Sequence, residues 1–107
     1  SHDDLTRLPN RALFEEKLLA QFTLLQQGEQ RLAVLFVDLD DFKPINDNLG
    51  HAVGDRVLIE VARRLQATLG PKDTVARLGG DEFVMLLTNI TEEAQIVERV
   101  EWRDPIA

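Results

Sequence analysis

Two acidic clusters hold the residues best suited to chemistry. Asp38-Leu39-Asp40-Asp41 places three carboxylates within four residues, directly after the apolar run Leu32-Ala33-Val34-Leu35-Phe36-Val37. Asp81-Glu82 follows Gly79-Gly80, between the apolar-rich segments Thr74 to Leu78 and Phe83 to Leu87. Carboxylates are hard oxygen donors and suit Mg2+ or Mn2+, ions that keep part of their water shell while binding nucleotide phosphates. With two such ions, one activates an attacking hydroxyl and the other stabilises a leaving pyrophosphate. The clusters can share a cation if the strands carrying Asp38 and Asp81 are neighbours. A structural alternative stands beside this: Asp38 caps the following turn, Asp40 and Asp41 are solvated, and Gly-Gly-Asp is ordinary turn chemistry. A calcium loop of the EF-hand type starting at Asp38 is excluded. Its fifth and sixth positions require an oxygen ligand and a glycine, and here they are Phe42 and Lys43.

Further polar residues surround the first cluster. Lys43 can reach a phosphate, and the backbone N–H groups of Asp41 and Phe42 open a helix that can cradle one; a plain surface lysine is the alternative. Asn46 offers a donor and an acceptor, and the Asp55 carboxylate can accept from the N1–H and N2 amine of guanine. Helix capping would also account for both. His51 stands alone as a histidine in this region and is read as structural, and Ser1-His2 is given no function.

Composition narrows the function classes. The chain has 107 residues, 44% of them hydrophobic and 29% charged, which suits one soluble domain over residues 1–107 with one modest core. No apolar run approaches the roughly 20 residues of a membrane span, and no signal peptide is visible. Cysteine is absent, so disulfides and thiolate metal sites are excluded, in keeping with a cytoplasmic location. Twelve Lys and Arg against 19 Asp and Glu give a net charge of −7. Such a domain is a poor binder of nucleic-acid polymers, whose phosphates supply most of the affinity, but it can bind a single nucleotide through a divalent ion.

The positioning elements follow from periodicity. Leu8-Pro9 predicts an extended opening segment, and Asn10 is a good N-cap. Leu13, Phe14, Leu18, Phe22 and Leu25 predict a core-facing amphipathic helix from Arg11 to about Gln27, ended by Gly28. Leu32 to Val37 reads as a central strand buried on both faces. Phe42 to Leu49 reads as a short helix with Pro44 in its first turn and Gly50 at its end. A longer helix begins between Ala52 and Asp55, buries Val57, Leu58, Val61, Ala62, Leu65 and Leu69, and stops at Gly70-Pro71. The Gly79-Gly80 hairpin follows. Thr91 caps a last helix with Ala94, Val97 and Val100 on its apolar side. The order is helix, strand, two helices, hairpin, helix, with only three strands.

Several of these motifs, taken together and in order, resemble the GGDEF family of diguanylate cyclases. The residues concerned are Asp38 to Asp47, Gly50-His51, Gly54-Asp55 and Ala76-Arg77-Leu78-Gly79-Gly80-Asp81-Glu82-Phe83. The opening Asp4-Leu5-Thr6-Arg7-Leu8-Pro9-Asn10-Arg11 is similar to that family's first motif, with Arg7 where glycine is usual. The resemblance runs from Asp4 to about Val100. It implies an α+β, palm-like antiparallel sheet with packed helices, related to nucleotidyl cyclases, and synthesis of cyclic di-GMP from two GTP in a transient antiparallel homodimer. It implies that Asp38, the Leu39 carbonyl and Asp81 hold Mg2+ or Mn2+, with Glu82 as catalytic or second-metal carboxylate. Asn46 and Asp55 would read guanine. Lys43 and the Asp41 and Phe42 amides would take phosphates, and Gly79-Gly80 would let the nucleotide approach the backbone. A sensor or EAL-type phosphodiesterase domain outside this chain is the expected neighbour, and an inactive GTP-binding regulatory module is the rival function.

Two departures from the family pattern stand out. Its product-inhibition motif, Arg-x-x-Asp, falls on Gly70-Pro71-Lys72-Asp73, so the arginine is replaced by Gly70 while Asp73 is retained. Family members also continue with at least one more strand and helix. The expectation is therefore a domain incomplete at its C-terminus.

Overall fold

The computed structural model describes residues 1–25, 28 and 31–90. The elements are α1 (Arg11–Leu25), β1 (Arg31–Asp38), α2 (Phe42–Leu49), α3 (His51–Ala67), β2 (Thr74–Gly79) and β3 (Glu82–Ile90). The fold is α+β, as expected. The last helix expected from Thr91, and the end of the first at Gln27, lie outside the described residues.

The three strands form an antiparallel sheet in the order β1-β3-β2. The central place thus belongs to β3, whose Phe83 to Leu87 run is apolar at every position and buried on both faces, each residue 2% exposed or less. This corrects the expectation for β1. Among the described residues β1 pairs only with β3, and its exposure alternates: Ala33, Leu35 and Val37 pack inward, while Val34 is 40% and Phe36 74% exposed. A continuous apolar run does not distinguish a central strand from its neighbour; pairing does.

Each face of the sheet carries its own core. On one, Leu58, Val61, Ala62 and Leu65 of α3 meet Val75, Phe83, Met85, Leu87 and Ile90, joined by Leu8, with Val57 and Leu69 partly buried. Burying a side chain of this size contributes about 1.5–3 kcal/mol relative to exposure. On the other face Phe14 of α1 packs with Ala76, Val84 and Leu86, and Leu18 is partly buried. Of the stripe expected on α1, Phe14 is buried, Leu13, Leu18 and Leu25 are half-buried, and Phe22 is 51% exposed. Asn10 caps this helix as its sequence suggests, its Oδ1 accepting from the Leu13 N–H at 3.0 Å.

Helix boundaries are set by local chemistry. Gly50, at φ 91°, closes α2 by donating to the Asn46 carbonyl, and α3 starts at once with His51 rather than at Ala52 or later. The end of α3 comes before Gly70-Pro71, because Thr68 turns its N–H and Oγ1 back onto the Leu65 carbonyl.

The opening segment is folded rather than extended. The Asp3 N–H donates to the Leu8 carbonyl and the Arg7 N–H to the Asp3 carbonyl. Thr6 donates from both N–H and Oγ1 to Asp3 Oδ2 at 2.8 Å. Sequence rules missed this because the turn is built by an aspartate three residues before its partner. Arg7 sits at φ 65°, a conformation costing an L-residue roughly 1–2 kcal/mol, which is the physical reason glycine suits this position.

Candidate functional site

The acid residues meet through strand register. In the β1–β3 ladder Asp38 lies directly opposite Glu82, so the two side chains share one face at the end of the sheet. Both are exposed, and Asp81 stands beside them in the turn. Like charges placed directly opposite destabilise a sheet, and none of the three carboxylates has an ion-pair partner among the described residues. Leu39 anchors the backbone after Asp38 by packing on the α3 core. The turn differs slightly from expectation: Gly79 pairs with Glu82, leaving Gly80-Asp81 as the two-residue loop. Gly79 and Gly80 have φ 146° and 52°, and nothing lies within 4 Å of where a Cβ would project from either, so backbone and solvent meet there.

Arg77 holds this turn, a role its place in the motif did not reveal. Its Nε and Nη2 donate to the Gly80 carbonyl at 3.1 and 2.9 Å, and its Nη1 donates to both Asp3 oxygens at 3.1 and 3.2 Å. The Arg77 N–H also donates to the Pro9 carbonyl. Burial works against the Asp3 carboxylate. Hydrogen bonds from Thr6 and Arg77, together with the guanidinium charge, outweigh it and hold Asp3 below the ordinary 3.8. One guanidinium therefore clamps the opening turn to the carbonyl next to Asp81. The pair spans 74 positions, so no local spacing could have found it.

The helical residues form a second group. Asn46 Nδ2 and His51 Nδ1 are 3.0 Å apart, so the histidine read as structural orients the asparagine. Gly54 is buried inside α3. A Cβ there would collide with Asn46 Oδ1 and lie 3.1 Å from Asn46 Cγ and 3.4 Å from Phe42 Cζ. The glycine thus lets α2 close on α3 and seats Asn46 against the residue that precedes Asp55, which is exposed. Lys43 reaches Asp47 at 3.5 Å, with both side chains largely in solvent. Asp41 precedes α2 at φ 62° and makes no side-chain capping bond, so no side chain of its own covers the first-turn N–H groups. No hydrogen bond or ion pair joins Asn46, Asp55 or Lys43 to the acid pair.

Asp73 has internal work. Its Oδ1 accepts from the N–H and Oγ1 of Thr88 at 2.8 and 3.0 Å, and its Oδ2 accepts from the Gly70 N–H at 2.7 Å. The retained aspartate of the inhibition motif pins the α3–β2 turn to β3.

Among the described residues no three acidic or histidine side chains converge closely enough to form a ready metal cage. The donor set nonetheless fits Mg2+ or Mn2+, which take one or two protein carboxylates and complete their shell with water and phosphate oxygens. Among the described residues no helix is long and apolar enough to cross a membrane.

Comparison with known proteins agrees with this architecture. The family described as "Diguanylate cyclase, GGDEF domain" matches residues 1–103. The diguanylate cyclase TpbB of Pseudomonas aeruginosa is 52% identical over 93 residues, covering 87% of this chain and 21% of TpbB. The bifunctional diguanylate cyclase/cyclic di-GMP phosphodiesterase MucR of the same species is 52% identical over 86 residues, covering 80% of this chain and 13% of MucR. The chain thus spans about a fifth of TpbB and less of MucR. The solved GGDEF domain of TpbB superposes with a TM-score of 0.87 at 50% identity, covering 94% of this chain and 59% of that one. The GGDEF domain of DgcB from Caulobacter crescentus, solved with c-di-GMP, gives 0.86 at 31% identity over 94% of this chain and 58% of that one. By sequence and by fold, this chain belongs to the GGDEF family.

Proposed function

We propose that this chain is the GGDEF domain of a diguanylate cyclase, condensing two GTP into cyclic di-GMP with release of two pyrophosphates. The observation that carries the reading is the cross-strand pair Asp38–Glu82 at the end of the sheet, two exposed carboxylates with no ion-pair partner among the described residues. A bound Mg2+ or Mn2+ would supply that positive charge and polarise the α-phosphate. Asp38, Asp81 and the Leu39 carbonyl are its proposed ligands. Glu82 serves as the catalytic carboxylate or as ligand to a second ion.

Asn46, oriented by His51 and seated against Gly54, and Asp55 hydrogen-bond the guanine edge. The Asp41 and Phe42 N–H groups take phosphate oxygens at the uncapped start of α2, where the helix dipole favours negative charge. Lys43 joins them by exchanging Asp47 for phosphate. Each 3′-OH attacks the α-phosphate of the other nucleotide: an O–P bond forms, the bond to pyrophosphate breaks, and the hydroxyl proton passes to the Glu82 carboxylate or to water. One protomer holds one GTP, so two copies must meet.

Asp73 is committed to Thr88 and Gly70, and Gly70 has replaced the motif's arginine; little slowing is therefore expected as product accumulates. A second reading, a GTP-binding regulatory module linked to a phosphodiesterase or sensor domain, draws on a relative of another kind. The cyclic di-GMP phosphodiesterase PdeB of Shewanella oneidensis is 43% identical over 92% of this chain. Incubating the full-length protein with GTP and Mg2+ separates the two. The cyclase reading expects cyclic di-GMP and its loss in Glu82→Gln; GTP binding with no product would favour the regulatory module.

A further inference from the structure

A hollow of about 190 Å3 lies between α1 and the sheet, and its lining includes Arg11 and Glu15 of α1 with Phe36, Leu78 and Val84 of the strands. Strand register carries this face of the sheet to the acid pair. Phe36 stands opposite Val84, and the next pair on the same side is Asp38 opposite Glu82. Both carboxylates therefore stand on the α1 face, about 7 Å along the strands from the Phe36–Val84 rung. The start of α1 is fixed at this same end. The Arg77 N–H donates to the Pro9 carbonyl, Arg77 lies opposite Phe83, and Gly79 pairs with Glu82.

Arg11 is placed against local preference. It opens α1, where the positive end of the helix dipole disfavours a cation, and the first turn holds no acid to balance it. Among the described residues it makes no ion pair, although Glu15, one turn on, lines the same hollow. Arg11, Phe14 and Glu15 share the helical face that meets the sheet. Helical side chains lean towards the N-terminus of their helix, which for α1 is the end beside the acid pair. A local rule broken next to a functional site points to that site.

We infer that Arg11 is a phosphate-binding residue of the GTP site, its guanidinium taking triphosphate oxygens on the α1 side of the acid pair. The inference rests on the cyclase reading above. A guanidinium presents paired donors that match phosphate oxygens, and its charge adds to that of the metal ion. The α3 core covers the opposite face of the sheet from α1. Asn46 and Asp55 thus hold the base from one side, and Arg11 holds the triphosphate from the other.

The test uses the full-length protein and two ligands: the α,β-methylene analogue of GTP with Mg2+, which cannot release pyrophosphate, and guanosine, which has no phosphate. Arg11→Gln should weaken the analogue about tenfold, the loss of one charge-assisted contact, and leave guanosine binding unchanged. Arg11→Lys keeps the charge without the fork and should lose about threefold. The melting temperature of Arg11→Gln should hold or rise, since a cation leaves the positive end of a helix. Equal affinity of parent and Arg11→Gln for the analogue would overturn the inference. So would an equal loss for analogue and guanosine, which would make Arg11 a structural residue. The cyclase reading is judged separately, by cyclic di-GMP made from GTP by the parent. A parent that binds the analogue but makes no product defeats that reading, while the analogue still decides Arg11; a parent that does not bind the analogue defeats both.

Discussion

The two halves of the candidate site are held by different physics. The acid half, Asp38 with Asp81 and Glu82, is set by sheet register and by Arg77 clamping the turn at Gly80. Its backbone is fixed while its charges are left unbalanced. The helical half, Asn46 with Asp55, is set by steric fit, with Gly54 admitting Asn46 and His51 orienting it. There Asn46 has a partner in His51 and packs against the backbone of Gly54. A half with uncompensated charge is built to receive a cation, and a half with close packing is built to recognise a shape.

That contrast can be broken selectively. The largest effect is expected in the acid half: Asp38→Asn or Glu82→Gln should lower cyclic di-GMP formation by the full-length protein at least about 100-fold. Each should leave the fold intact or stabilise it by up to about 1 kcal/mol in chemical denaturation, because a like-charge pair is removed. A loss of stability would mean that the carboxylates serve structure instead.

Arg77→Ala comes next, with about 1–3 kcal/mol of destabilisation, because it strips the Gly80 carbonyl and leaves the part-buried Asp3 carboxylate without its cation. The clamp also sets a pH dependence. Asp3 titrates below its ordinary 3.8 in the folded chain, so its contribution is complete above that value and lost as pH falls through the lowered one. Acid melts of the parent and of Arg77→Ala should draw closer there, leaving the share of the difference that comes from the Gly80 carbonyl. The helical half should be indifferent to this change, and nucleotide binding in the absence of metal reports that.

Gly54→Ala acts on the other half. Alanine favours a helix over glycine by about 1 kcal/mol, but the collision with Asn46 reverses the sign, giving a net loss of about 1–2 kcal/mol. GTP affinity should fall with metal binding unchanged. The smallest effect belongs to a cluster outside both halves. Glu60, held down to about 2 by hydrogen bonds from Arg63 and then Arg64, lies on the exposed side of α3. Glu60→Gln should change stability by less than about 0.5 kcal/mol and activity not at all.

What could be read in advance follows the range of each interaction. Local signals were legible: the Asn10 cap, the Gly50 break, the buried stripe of α3 and the hairpin with its acids at the tip. Long-range ones were not. The direct pairing of Asp38 with Glu82, the central place of β3 and the Asp3–Arg77 clamp each depend on which distant segments meet. Gly54 lies between these cases. A glycine inside a helical pattern is itself a flag for close approach, but only the packing of α2 on α3 names Asn46 as the neighbour.

The most direct test of the acid half is a paramagnetic one. Mn2+ titrated into the chain should broaden the amide signals of residues 38–39 and 80–82 first, and Asp38→Asn should abolish that selectivity. Uniform broadening across the acidic surface, or broadening unaffected by Asp38→Asn, would contradict a cation site built on the Asp38–Glu82 pair.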